Sequence, residues 1–177
     1  MHSHRFTRIL LPLLFTLNAS WLGAGDITQV RVFNTWADSI IKSTDPAGIT
    51  YHAPSGHLFI TDSEINEIAE YAPDSVNVFE VSLLGDTVFA TYDTRSISGS
   101  YRPSHEPTGI TYNSLDGYFY ITNDNRKVFY RSDTTFGTSI LDVPTVQDAE
   151  GIAFDPNTGN LYVADGNGGG MKIVVYN

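Results

Sequence analysis

The stretch DAEGIAFDPNTGNLYVAD, Asp148 to Asp165, decides the fold because related stretches occur twice more in the chain. DPAGITYHAPSGHLFITD runs from Asp45 to Asp62, and EPTGITYNSLDGYFYITN runs from Glu106 to Asn123. The three copies align without a gap, and in each a glycine is followed eight residues later by a second glycine. The chain is therefore built on an internal repeat.

The repeat predicts β-strands joined by turns, since short β-branched and aromatic runs alternate with Gly, Asn, Asp and Pro. Two more strand-like runs follow each of the first two copies, and one follows the third. We expect three antiparallel sheets in residues 45–95, 106–144 and 148–177. A period of roughly 40 to 50 residues with four strands per unit is typical of β-propeller blades. The predicted fold is all-β, a partial β-propeller of about three four-stranded blades with the last one incomplete.

Particular segments of the repeat resemble those of a known superfamily. Each copy contains a first segment, GITY, GITY or GIAF, and then a second segment, HLFITD, YFYITN or NLYVAD. Both segments resemble the repeats of NHL and gluconolactonase-like (SMP-30) propellers. They are also similar to bacterial SdiA-regulated and phytase-like propellers. Closed propellers have about four to eight blades, and those families usually have about six, so the resemblance implies half a ring. The missing blades would come from a longer chain or from a second chain. We favour the longer chain, because no sequence feature argues for a symmetric interface.

The first 25 residues have the layout of a signal peptide. Basic residues precede the apolar run from Ile9 to Leu17, and small residues follow it. That run is shorter than the roughly 20 residues needed to span a bilayer, although an uncleaved anchor is the alternative. We expect export to a secreted or periplasmic location, with no membrane span after signal removal. The alternating residues 27–35 then predict a spare outer strand that could complete a three-stranded blade.

Charge and cysteine content limit the classes of partner. The formal net charge is −10 and cysteine is absent. A surface this acidic repels phosphate backbones, so we expect no nucleic acid as partner. A cation, or a small molecule or protein that tolerates an acidic surface, is favoured instead.

The starts and ends of the repeats carry the candidate site. In a blade the start of the first strand and the end of the second lie at the same end of the central channel, so their oxygen-bearing residues should meet there. Calcium takes about six to eight oxygen ligands, and the candidate metal ligands are Glu150, Asp165, Asn123 and Asp62. A residue type that recurs in every blade can instead be a structural hydrogen-bond acceptor. Glu150 differs, because Ala47 and Thr108 occupy its place in the other copies.

Two functions follow from this reasoning. The first is an exported binding module that presents an acidic channel mouth to a ligand, a cation or a protein partner, as a piece of a longer protein. The alternative, implied by the resemblance, is a calcium-dependent hydrolase of the lactonase, esterase or phytase type, in which a carboxylate acts as base. Glu150 is the one catalytic candidate, and the sequence alone leaves enzyme and binding module open.

Overall fold

The fold is known from a computed structural model. The chain divides into two units, Met1–Val32 and Phe33–Asn177, and of the first unit only residues 29–32 are described. The described residues are 29–35, 40–68, 76–96, 106–124, 128–137, 139–144, 148–166 and 170–177. The architecture below is that of the second unit.

Eleven strands form three antiparallel sheets in the described part of the chain. The first sheet contains β1 (Pro46–His52), β2 (His57–Asp62), β3 (Val78–Val81) and β4 (Val88–Tyr92), in that order. The second contains β5 (Pro107–Asn113), β6 (Tyr118–Asn123), β7 (Val128–Ser132) and β8 (Ser139–Pro144). The third contains β9 (Ala149–Phe154), β10 (Leu161–Asp165) and β11 (Lys172–Tyr176). This confirms the predicted partial β-propeller, and we call the sheets blades one, two and three.

The same tight turn joins the first two strands of every blade. Gly56, Gly117 and Gly159 have φ angles of 73°, 80° and 77°, in the left-handed region that residues with a Cβ rarely adopt. Each of these glycines donates its backbone N–H over 2.9 Å to the carbonyl oxygen four residues earlier. The second glycine of the repeat therefore sets the hairpin register.

Apolar side chains fill the spaces between neighbouring blades. One cluster between blades one and two contains Phe59, Val78, Ile110, Phe119, Ile121 and Phe136. A second cluster between blades two and three contains Tyr120, Phe129, Ala149, Leu161 and Val163. Within β6, Phe119 and Ile121 thus face blade one while Tyr120 faces blade three. A strand covered on both faces needs apolar residues at every position, which is why β6 lacks the alternation of a half-exposed strand.

The first strand of each blade lies innermost, with β1 beside β5 and β5 beside β9. A Cβ added to Gly109 would lie 2.6 Å from Thr122 Oγ1 and 2.7 Å from the carbonyl oxygen of Glu150. A Cβ on Gly48 would lie 2.6 Å from the carbonyl oxygen of Thr108. The first glycine of the repeat therefore permits close approach of backbones near the propeller axis.

The chain before blade one differs from the expectation. Residues 29–35 form no strand, and Val30 and Val32 are largely exposed. The outer strand predicted over residues 27–35 is thus not formed in its described part. Alternating β-branched residues favour a strand only when a hydrogen-bonded neighbour is present. The predicted signal peptide, residues 1–25, lies outside the described residues. Within the described residues, no helix has the length and apolar character to cross a membrane.

Candidate functional site

One end of the blades brings the start of each repeat against the end of its second strand. The residue after that strand donates its backbone N–H to the carbonyl oxygen of the residue that starts the repeat. These bonds run from Ser63 to Asp45 at 3.2 Å, from Asp124 to Glu106 at 3.2 Å, and from Gly166 to Asp148 at 2.9 Å. We call this end the mouth, defined by those six residues. The oxygen-bearing ends of the repeats therefore gather at one end of the blades.

Asp62, a predicted metal ligand at the mouth, is fully buried and saturated by hydrogen bonds. Its Oδ2 accepts bonds from the Ser43 hydroxyl at 2.7 Å and from the backbone N–H groups of residues 44 and 45. Its Oδ1 accepts bonds from the backbone N–H groups of residues 64 and 65, at 3.0 and 2.7 Å. A carboxylate offers about four lone-pair sites, so Asp62 organises the loops around it.

Asn123 and Asp165, the equivalents of Asp62, are also buried. The side-chain amide of Asn123 donates to the Tyr130 hydroxyl at 3.0 Å. Asp165 accepts a bond from the backbone N–H of Asp148 at 3.1 Å and pairs with Lys172 at 3.3 Å. Both side chains thus bind groups of their own blade. Their role as metal ligands stays a prediction.

Glu150 lies within a group of three carboxylates. One oxygen from each of Asp124, Asp148 and Glu150 lies within 4.8 Å of the other two. Asp124 follows β6, while Asp148 and Glu150 lie on either side of Ala149 at the start of β9. The group therefore joins blades two and three. Calcium binds its ligand oxygens at about 2.3 to 2.6 Å, so oxygens on opposite sides of one ion lie about 5 Å apart. The spacing of the group is compatible with one shared cation.

The pKa values of this group show the crowding of negative charge. The hydrogen bond with Asp124 raises the pKa of Asp148, and burial and the charges of Asp124 and Asp165 add to the shift. Burial raises the pKa of Glu150, and the charges of Asp148 and Asp124 act in the same direction. Both shifts favour the neutral carboxyl. A cation bound among the three carboxylates would offset the repulsion between their negative charges.

A cavity of about 470 Å³ lies beside the carboxylates, against the inner strands of all three blades. Glu64, Glu106, Asp124 and Glu150 are among its lining residues. Within the described part of the chain, no Lys, Arg or His lines it. The charge of Glu67, first among several causes, raises the pKa of Glu64. The cavity therefore favours positively charged occupants.

Two members of the carboxylate group, Asp124 and Asp148, were not among the candidate ligands chosen from the sequence. Asp124 occupies the place of Ser63 and Gly166 in the other repeats, so it departs from the repeat just as Glu150 does. The same criterion could have found it. Asp148 gives no such signal, because Asp45 and Glu106 occupy its place in the other copies. Only the packing of blade two against blade three brings Asp148 to Asp124.

Comparison with known proteins supports the fold and identifies no family. The sequence matches no protein-family model and no curated protein. A structure of the nidogen/laminin complex is 22% identical with a TM-score of 0.56, covering 76% of this chain and 45% of that chain. Hydrazine synthase from Kuenenia stuttgartiensis is 17% identical with a TM-score of 0.53, covering 81% of this chain and 36% of that chain.

A gluconolactonase from Xanthomonas campestris is also 17% identical and covers 69% of this chain and 35% of its own. Its TM-score of 0.47 is too low to carry an argument. The chain spans less than half the length of each of these three structures. At such identities the likeness shows the fold alone. The comparisons therefore support a β-propeller fold for the described blades.

Proposed function

We propose that this protein is a binding module whose acidic mouth holds a divalent cation, Ca²⁺, and through it a ligand. The observation that carries the proposal is the group of Asp124, Asp148 and Glu150, whose oxygens lie within 4.8 Å of one another beside an acidic cavity. A binding role needs no further chemistry from the chain. It uses the rigid blades to hold loops at one end of the channel.

Electrostatics favour a cation at this place. Two unit charges 4 Å apart interact by about 1 kcal/mol in water and about 4 kcal/mol near a protein surface. Three carboxylates therefore repel one another, and a divalent ion replaces that repulsion with attraction. Calcium accepts carboxylate oxygens in flexible geometry, whereas magnesium demands a near-ideal octahedron. Because the group is largely exposed, calcium is the cation that we expect to bind.

The three carboxylates leave coordination positions for a ligand. They supply at most about six oxygens, and calcium takes about six to eight, so water or an oxygen of the ligand would complete the shell. The cavity of about 470 Å³ has the size of a small-molecule site. We propose a small molecule or a protein side chain with carbonyl, hydroxyl or anionic oxygens as the partner. Nucleic acid is disfavoured by the net charge of −10.

We also propose that the protein is exported. The signal-peptide layout of residues 1–25 supports a secreted or periplasmic location. Extracellular calcium modules bind with Kd values of about 10⁻⁴ to 10⁻³ M. An exposed group of three carboxylates fits that weak class. The missing propeller blades would be supplied from outside the three that the structure describes.

A second candidate function is a calcium-dependent hydrolase of the lactonase, esterase or phytase type. One observation favours it: Glu150 lines the cavity, and burial raises its pKa. A carboxylate with a raised pKa is a better general base than an ordinary one. Glu150 would then accept a proton from water while the other carboxylates hold the cation.

Thermal unfolding with added calcium tests the binding proposal. We expect millimolar CaCl₂ to raise the Tm of the wild type, and to raise it much less in Asp124→Asn and Glu150→Gln. Asp116→Asn is the matched control, because Asp116 is an exposed aspartate at the opposite end of blade two. Equal shifts in all variants would contradict the proposal. Turnover of lactone, ester or phytate substrates that Glu150→Gln abolishes would instead favour the hydrolase.

A further inference from the structure

A histidine departs from the repeat at the end of the first strand of blade one. His52 holds the place that Asn113 and Asp155 hold in the other two repeats. In those repeats the side-chain Oδ1 accepts the backbone N–H two residues later, at 2.8 Å from Leu115 and 2.9 Å from Asn157. The side chain therefore caps the hairpin turn in blades two and three. Of the three residue types, only histidine has an ordinary pKa, about 6.5, between pH 5 and 8.

The turn of blade one binds this histidine in a different way. The residue two after His52 is Pro54, which has no N–H to be capped. The Ser55 hydroxyl lies 2.7 Å from His52 Nδ1 and 3.5 Å from the His52 carbonyl oxygen. The equivalent hydroxyl in blade three, that of Thr158, donates to the Asp155 carboxylate at 2.8 Å. By the same pattern Ser55 donates to Nδ1, so Nδ1 of the neutral ring is an acceptor and Nε2 carries the proton.

The His52 ring is buried in the junction between blades one and two. It is 8% exposed. Its centroid lies 4.5 Å from that of Tyr112 in β5, 5.3 Å from Phe119 in β6 and 5.5 Å from Phe59 in β2. A neutral imidazole suits these aromatic surroundings. An imidazolium in the same place would lose its hydration, which disfavours the charged form.

The titratable groups that face His52 do not offset this loss. His57 of β2 is its cross-strand neighbour. Glu80 of β3 is already bonded within blade one, to His57 Nδ1 at 2.6 Å and to the Tyr92 hydroxyl of β4 at 2.9 Å. Blade two contributes the phenol of Tyr112, and the neighbouring ring of β6 does not titrate. Burial lowers the pKa of His52; the charge of Glu80 opposes this shift and that of His57 adds to it.

We propose that the junction between blades one and two is a pH-sensitive device, in which protonation of His52 loosens the packing of β1 against β5 and β6. A proton on Nδ1 removes the acceptor of the Ser55 hydroxyl and places a charge among three aromatic rings. Separation of the blades at this end returns that charge to water. His52 lies at the turn end of β1, opposite the mouth, so the device does not depend on a cation bound there.

The direction of the pH effect follows from the lowered pKa. The contribution of neutral His52 to stability is present above its unfolded pKa of about 6.5, and it is lost as the pH falls through the folded pKa. Neutral surroundings therefore close the junction, and mildly acidic surroundings loosen it.

Amide hydrogen exchange tests this proposal on the full chain without added calcium. The probe is the Tyr112 amide, which donates to Thr50 Oγ1 across the junction at 3.3 Å. After correction for the intrinsic effect of pH on exchange, its rate in the wild type should be about fivefold or more higher at about pH 5 than at about pH 7.5. His52→Asn, which copies blade two, should show no such rise. His57→Gln is the matched control and should keep the rise, because the surroundings of His52 remain.

Nuclear magnetic resonance of the ring nitrogens checks the protonation of His52 in the wild type. At neutral pH the ¹⁵N shifts should show Nδ1 without a proton and Nε2 with one, and both nitrogens should carry protons by about pH 5. A ring that stays neutral at that pH would overturn the proposal. So would an equal rise in exchange in His52→Asn, which has no group to protonate at this place.

Discussion

Thr61 of blade one donates its hydroxyl to the backbone carbonyl oxygen of Thr108 in blade two, over 3.2 Å. Thr122 makes the equivalent bond to the carbonyl oxygen of Glu150 in blade three. Ala164 occupies this place in blade three and has no hydroxyl to donate. A threonine near the end of the second strand therefore joins each of the first two blades to the inner strand of the next. The blades are held by hydrogen bonds at the axis as well as by apolar packing.

Thr122→Val should destabilise the fold by about 1 to 3 kcal/mol, because it removes the acceptor of the Gly109 N–H and the donor to Glu150. Urea unfolding followed by circular dichroism measures the change. Thr134→Val, in an exposed turn of the same blade, is the control. Equal stability of the two variants would mean that the inter-blade bond contributes nothing.

Gly109→Ala should destabilise the fold, by about 1 to 3 kcal/mol as for other overpacked sites, because its Cβ would lie 2.6 Å from Thr122 Oγ1. Gly151→Ala should change the stability by less than about 1 kcal/mol, since the added Cβ would only reach ordinary van der Waals contact, with Ala164 Cβ at 4.0 Å. Both variants are compared with the wild type by urea unfolding. Similar losses in the two variants would contradict the close approach at Gly109.

Because Asp124, Asp148 and Glu150 lie close together, their contribution to the free energy of unfolding should fall as the pH rises. A carboxyl whose pKa is raised in the folded state contributes stability below its unfolded pKa, and loses that contribution as the pH rises through its folded pKa. This applies to Asp148 and Glu150. From about pH 4 upward, the calcium-free wild type should therefore lose more stability than Asp148→Asn does.

Asp155, at the other end of blade three, is a control whose effect on stability has the opposite pH dependence. Hydrogen bonds from Asn157 and Thr158 lower the pKa of Asp155. Its contribution is present above the unfolded pKa and is lost as the pH falls through the folded pKa. Asp155→Asn should thus reduce the loss of stability below about pH 4 and leave the higher range unchanged. If stability changed with pH in the same way in the wild type and in Asp148→Asn, the raised pKa of Asp148 would be contradicted.

Glu80 should control the ionisation of Tyr92 in blade one. The Tyr92 hydroxyl donates to Glu80 Oε2 at 2.9 Å, and His57 Nδ1 lies 2.6 Å from Glu80 Oε1. Burial, with the hydrogen bond and charge of Glu80, raises the pKa of Tyr92 to about 12. Glu80→Gln should lower that pKa, measured by the ultraviolet absorbance of the phenolate. Tyr92→Phe identifies the signal, and an unchanged titration in Glu80→Gln would contradict the assignment.

The strands could be predicted from sequence because their causes are local. The turn glycine Gly56 and the apolar run that follows it specify a hairpin within 18 residues of one repeat. The outer strand of residues 27–35 was predicted from alternation alone, and its described part forms no strand. An alternating sequence pattern does not show whether a neighbouring strand is present to form hydrogen bonds.

The site could be predicted only in part. Glu150 was chosen because it departs from the repeat, and in the structure it lies beside two other carboxylates. Asp62 was chosen for its place at the end of a second strand, and its contacts with loop N–H groups match the alternative role of a structural hydrogen-bond acceptor. The approach of Asp148 to Asp124 depends on packing between two blades. No pattern within a single repeat contains that information.

Calcium titration by isothermal calorimetry tests the central claim, binding of a cation at the mouth, most directly. The wild type should bind one Ca²⁺ per chain, and Glu150→Gln and Asp124→Asn should each weaken binding at least about tenfold, which is about 1.4 kcal/mol. Asp116→Asn should bind like the wild type. Absence of saturable binding in the wild type, or equal affinity in all four proteins, would contradict the account.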